Sequence, residues 1–118
     1  MKEKLYSKEF KGDMIRFFAD KDEDNGTIYF NRHDIGKAMG YKYPTRSIAK
    51  LEYRYKPHFV GRVEKDKIVI NEIPQPMIFY TIEGVRELCK ISSQYYALDF
   101  YEWVREEVRK NAKDGIDR

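Results

Sequence analysis

Three cations recur at every fourth position in the middle of this chain: Arg46, Lys50 and Arg54. On a helix that spacing places them along one edge, while Ile48 and Leu51 point the other way. A row of three such groups can track phosphates, because each neutralised phosphate releases condensed counterions. Aromatic residues interleave the same stretch, first in Tyr41-Lys42-Tyr43-Pro44-Thr45-Arg46 and then in Lys50-Leu51-Glu52-Tyr53-Arg54-Tyr55-Lys56-Pro57-His58. Tyrosine rings stack on bases, and they also pack at core borders with hydrogen-bonded hydroxyls. The residue types point to a nucleic-acid contact through Lys42, Tyr43, Arg46, Lys50, Arg54, Tyr55 and Lys56. The competing reading is a solvated charged face bordered by packed tyrosines.

Net charge alone is uninformative at +3. Its distribution says more. Residues 37–67 hold nine basic residues and three acids (Glu52, Glu64, Asp66), a balance of +6, whereas the other 14 basic and 17 acidic residues leave −3. A basic middle within a near-neutral chain favours a polyanionic partner.

Other chemistry finds less support. The run Asp20-Lys21-Asp22-Glu23-Asp24-Asn25-Gly26 invites a calcium loop, which needs Gly at position 6 and a bidentate Glu at position 12. Counting from Asp20, those positions are Asn25 and Asn31, so the run reads as a hairpin tip. His33 and His58 are the only histidines, and no metal-ligand spacing links them. A single cysteine, Cys89, rules out an internal disulfide and falls on an apolar helix face beside Val85 and Leu88. Gly36, Gly40 and Gly61 form no phosphate loop. No nucleophilic or acid–base constellation is present, so the expectation is a non-enzyme without cofactor or metal. The longest uncharged stretch, residues 73–82, contains two prolines and falls short of the ~20 residues that cross a bilayer. No apolar run follows the N-terminus, so no signal peptide is expected and the cytoplasm is the expected compartment.

The elements that must position these residues follow from local signals. Residues 1–12 are polar and read as an N-terminal arm or short edge element. Met14–Phe18 and Thr27–Phe30 read as strands joined through Asn25-Gly26, a strong hairpin signal. Asn31 caps a short helix with Asp34 in its first turn, Ile35, Ala38 and Met39 inward, and Gly40 at its end. A second short helix begins near Pro44, with Ile48 and Leu51 inward. The two form a helix-turn-helix outline. Phe59–Val63 and Lys67–Asn71 read as a second hairpin turned at Glu64-Lys65-Asp66, and Pro74 and Pro76 mark a loop. Met77–Tyr80 leads into a helix capped by Thr81. A last helix spans about Ser93 to Lys110, with Ala97, Phe100, Tyr101, Val104 and Val108 on one face. The sum is an α+β fold: a small, mostly antiparallel sheet with two short helices and two C-terminal helices packed on it. The basic ridge is expected to rest on the helix that carries Trp103.

The ordered set of segments resembles the Bro-N domain, found at the N-terminus of baculovirus repeated-ORF proteins and of many phage or prophage antirepressors. Ile15-Arg16-Phe17 and Tyr29-Phe30 match its first strands. Asp34-Ile35-Gly36-Lys37-Ala38-Met39-Gly40-Tyr41 is similar to its Asp-Val…Leu-Gly-Tyr helix, and Arg46-Ser47-Ile48 fits the helix that follows. Ile82-Glu83-Gly84-Val85-Arg86-Glu87-Leu88 with Ser92 is similar to its Glu-x-Gly-Leu-Tyr-x-Leu-x-x-x-Ser stretch. Ala97, Phe100, Trp103-Val104 and Glu107-Val108 parallel its Ala-x-x-Phe-x-x-Trp-Val-x-x-Glu-Val ending. The likeness spans about residues 13–110. It departs after Val108, where the family has Leu-Pro and this chain has Arg109-Lys110, and residues 51–75 diverge. Many relatives carry a second domain, so the chain reads as a stand-alone form or a fragment.

The resemblance implies a DNA-binding domain of viral or prophage origin that modulates transcription, without catalysis. It divides the chain into an arm (1–12), a Bro-N-like domain (13–110) and a polar tail (111–118). The partner expected is DNA. A homodimer is the assembly to test, since two-fold dimers are common among DNA binders. The alternative is a protein-interaction module that seizes a repressor through the charged outer face of the last helix (Glu102, Arg105, Glu106, Arg109).

Overall fold

A computed structural model describes residues 1–21 and 26–116, with side chains described through Lys110. The fold is α+β, with two small antiparallel sheets in place of the single sheet expected. Strand β1 (Lys2–Phe10) pairs with β2 (Asp13–Asp20) around a two-residue turn at Lys11 and Gly12, whose φ values of 47° and 89° suit a tight hairpin. Residues 2–10 are therefore a full strand. Little of β1 alternates in polarity, because it buries only Lys2 and Phe10 and stacks Tyr6 on Phe17 at 4.4 Å.

The expected pairing of 14–18 with 27–30 shrinks to one antiparallel bridge, Phe18 to Tyr29, while β1 pairs along the opposite edge of β2. Asn25 and the acidic run at 22–24 lie outside the described residues.

The second sheet has the order β3 (Phe30–Asn31), β5 (Ile73–Tyr80), β4 (Val63–Ile70). Here the expected hairpin moves. Val63–Ile70 is one continuous strand, its turn falls at Asn71 and Glu72, and Pro74 and Pro76 lie inside β5 rather than in a loop. The prolines are tolerated because β3 pairs β5 only at Phe79 and Tyr80, which leaves the other side of β5 open beside them. Asn71 and Glu72 adopt φ of 51° and 67°. Asn accepts that region and Glu has no preference for it, so the turn carried no sequence signal.

The helices obey their caps. The Asn31 side chain accepts the Asp34 N–H at 2.8 Å to open α1 (Arg32–Met39), and Gly40 closes it at φ 96°. Pro44 opens α2 (Pro44–Arg54) at a position where a missing N–H costs nothing. A 3-10 turn (Lys56–Phe59) follows. Thr81 accepts the Gly84 N–H at 3.2 Å to open α3 (Ile82–Ile91). Helix α4 runs Ala97–Ile116, beginning later than Ser93 and continuing past Lys110. The delay arises because Ser92 Oγ accepts the Gln94 N–H and bonds the Tyr41 hydroxyl, which makes a turn there.

Ala97, Phe100 and Val104 of α4 fill the core with Ile35, Met39 and Leu88. A smaller cluster of Phe18, Tyr29, Ile68 and Phe79 sits between the sheets. Trp103 packs on Phe10 and Phe17 of the β1–β2 hairpin, at 5.3 and 5.9 Å. Helix α2 packs chiefly on α1, so the basic ridge rests there and not on the Trp103 helix.

Candidate nucleic-acid interface

The seat of α2 is set by Gly36. A Cβ at that position would lie 2.6 Å from the Pro44 carbonyl oxygen, so only glycine lets the start of α2 approach α1 so closely. Ile48 is fully buried and Leu51 half-buried on the inner side. The cations stand opposite. At ~100° per residue, Arg46, Lys50 and Arg54 fan over about 80° of the outer side, and all three are exposed. Lys42 precedes the helix and Lys56 follows it, both exposed. Among the described residues, none of these five cations pairs with an acid.

The acids of the basic window go elsewhere. Glu52, the only acid on α2, turns inward: its Oε1 accepts from Arg32 Nη2 at 2.5 Å and from the Tyr80 hydroxyl at 2.6 Å, while Arg32 Nε donates to that hydroxyl at 3.0 Å. Burial raises the Tyr80 pKa above the ordinary tyrosine value, and the bond to Glu52 adds to the rise. Glu64 and Asp66 face Lys2, whose side chain is fully buried. Its Nζ lies 2.6 Å from Glu64, 3.3 Å from Asp20 and 3.5 Å from Asp66, and 3.8 Å from the centre of the Tyr29 ring. Burial alone would lower the Lys2 pKa, yet the hydrogen bond and charge of Glu64 outweigh it and hold the pKa above the ordinary value. All three acids are thus engaged by cations from outside the window.

Not every cation of the window joins the ridge. Lys37 pairs with Asp13 at 3.7 Å, and Arg62 with Glu87 at 3.7 Å. Lys65 and Lys67 lie on β4. The aromatics also divide. Tyr43 is 54% exposed, with Lys42 and Arg46 5.5 and 5.2 Å from its ring centre. Tyr55 is half-buried, its ring perpendicular to that of His58 at 5.9 Å, and so offers less surface than Tyr43. Tyr53 is 74% exposed beneath Lys56 at 4.6 Å. It was not among the expected contacts, although its place seven residues after Arg46 puts it on the same side of the helix.

The remaining chemistry-bearing groups are engaged locally. His33 Nδ1 meets Thr45 Oγ1 at 3.3 Å, and His58 Nδ1 meets Glu87 at 3.4 Å. Cys89 on α3 is half-buried, and burial pushes its pKa up to about 12. Among the described residues, no three His, Cys, Asp or Glu side chains gather in a metal-holding group, and no helix is long and apolar enough to cross a membrane. The outer face of α4 closes on itself, with Glu106–Arg109 at 2.6 Å and Glu102–Arg105 at 4.0 Å. No protein-family model, curated protein or solved structure matches the chain.

Proposed function

We propose that the chain is a DNA-binding module of an antirepressor-type transcription regulator of viral or prophage origin, acting in the host-cell cytoplasm. It grips the phosphate backbone through the exposed side of α2 and its flanks. The observation that carries this reading is the separation of charge. Among the described residues, Lys42, Arg46, Lys50, Arg54 and Lys56 stand without acidic partners, while Glu52, Glu64 and Asp66 are engaged by Arg32 and Lys2. A solvated face with no binding role needs no such separation. Tyr43 and Tyr53 add exposed rings on the same surface. The resemblance to Bro-N domains supports the same reading by analogy.

Phosphate contacts position a protein on DNA without reading its sequence. Replacing Arg46, Lys50 and Arg54 together with Ala should therefore weaken binding by similar factors, about tenfold or more, on unrelated duplexes. Titrating labelled duplexes of different sequence with each protein tests this. Equal affinities of the parent and the triple variant, with both folded by circular dichroism, would refute the assignment.

A further inference from the structure

A second site lies beside the start of α2. A groove of about 620 Å³ opens there, lined by Pro76, Met77 and Ile78 of β5 with Arg16, Arg32, His33, Thr45 and Lys65 around them. The volume is that of a small-ligand pocket. Its β5 wall is apolar and its other sides are rich in donors. Among the described residues no carboxylate lines it, because Asp34 and Glu52 are turned to Arg16 and Arg32. Asp34 is buried and binds Arg16 through Nε and Nη2, both at 3.0 Å. Glu52 binds Arg32 through Nη2. Each guanidinium is thereby held in place, and its Nη1 has no partner among the described residues. Lys65 is exposed and without an acidic partner among them, and His33 uses only Nδ1.

We propose that this groove binds a nucleotide, with the base against Pro76, Met77 and Ile78 and the phosphate among Lys65, His33 and the free edges of Arg16 and Arg32. An anion with an apolar planar body fits donors that face no acceptor beside an apolar wall. A free phosphate would leave the apolar wall unused, and an uncharged ring would leave the donors unpaired. The nucleotide comes either from solution or from an unpaired position of a strand, and the chemistry is the same. The site is separate from the α2 ridge and does not depend on it.

Calorimetric titration of the full chain with thymidine 5′-monophosphate, thymidine and inorganic phosphate tests the proposal. The monophosphate should bind one-to-one, at least about tenfold tighter than thymidine or phosphate. Lys65→Glu combined with His33→Ala should weaken it about tenfold or more. Thr45→Trp, a change at an exposed position that fills the groove, should abolish it. The Arg46/Lys50/Arg54→Ala variant should bind the nucleotide as the parent does. Competition by a single-stranded oligonucleotide assigns the nucleotide to a strand, and lack of competition assigns it to solution; either supports the site. Absence of binding at about 10 mM nucleotide, indifference to both groove variants, or loss in the ridge variant would overturn it.

Discussion

Lys2 and Lys50 are the same residue put to opposite uses. Lys2 is wholly buried, its ammonium within 3.5 Å of three carboxylates and 3.8 Å from the centre of an aromatic ring. Lys50 is exposed on the outer side of α2, with no acid beside it among the described residues. One stabilises the join between the β1–β2 hairpin and β4, and the other is left for a partner. The two regions are separate, since the acids that Lys2 engages lie on β2 and β4 and not on α2. A charge therefore reveals its role through burial and partners, and a count of basic residues does not.

Perturbations of the two regions should separate cleanly. The largest effect on stability is expected for Lys2→Met, which removes the ammonium shared by Asp20, Glu64 and Asp66 while the N-terminal ammonium still pairs with Asp66 at 3.4 Å. A loss of about 2–3 kcal/mol is expected in urea unfolding, less than for a fully buried pair because Glu64 is half in solvent. DNA affinity of the folded fraction should stay unchanged. Arg46, Lys50 and Arg54 to Ala should do the reverse, changing stability by no more than about 0.5 kcal/mol per site while weakening DNA binding.

Gly36→Ala should affect both. Its Cβ meets the Pro44 backbone, so α2 must shift away from α1. A loss of about 1–3 kcal/mol with weaker DNA binding is expected, and a tighter or unchanged complex would show that the ridge does not need this seat.

Alkaline pH sharpens the contrast. The Lys2 pKa is raised above the ordinary 10.5, so its contribution is whole below that value and is lost as pH rises through the folded value. Tyr6, pushed up to about 12 by burial with help from Glu107, acts in the same direction from its ordinary value of 10.0. Urea midpoints should fall from about pH 10 upward, and the fall should be shallower in Lys2→Met. The smallest effect is expected at the β4–β5 turn. Glu72→Gly relieves a positive φ of 67° and should add about 0.5–1 kcal/mol without touching DNA affinity.

Local signals in the sequence located the helices well. Asn31, Gly40, Pro44 and Thr81 act through neighbours within four residues, and the period of Ala97, Phe100 and Val104 is visible in any window. Strand pairing was harder to read. Strand β1 looks polar because its other side is solvent, and nothing near Phe18 announces that β1 rather than Thr27–Phe30 would claim β2. The partners of the acids were beyond reach for the same reason. Lys2 and Glu64 are 62 positions apart and meet only once both hairpins exist. Tyr53 was within reach, since helical phase alone places it beside Arg46, whereas the half-burial of Tyr55 depends on the 3-10 turn that brings His58 to it.

The most direct test of the central claim is the salt dependence of DNA affinity. Three to five phosphate contacts give a slope of roughly −3 to −4.5 in log affinity against log salt. The Arg46/Lys50/Arg54→Ala variant should lose about 2.7 of that slope, near 0.9 for each cation removed. A parent slope near zero, or an equal slope in the two proteins, would contradict the account.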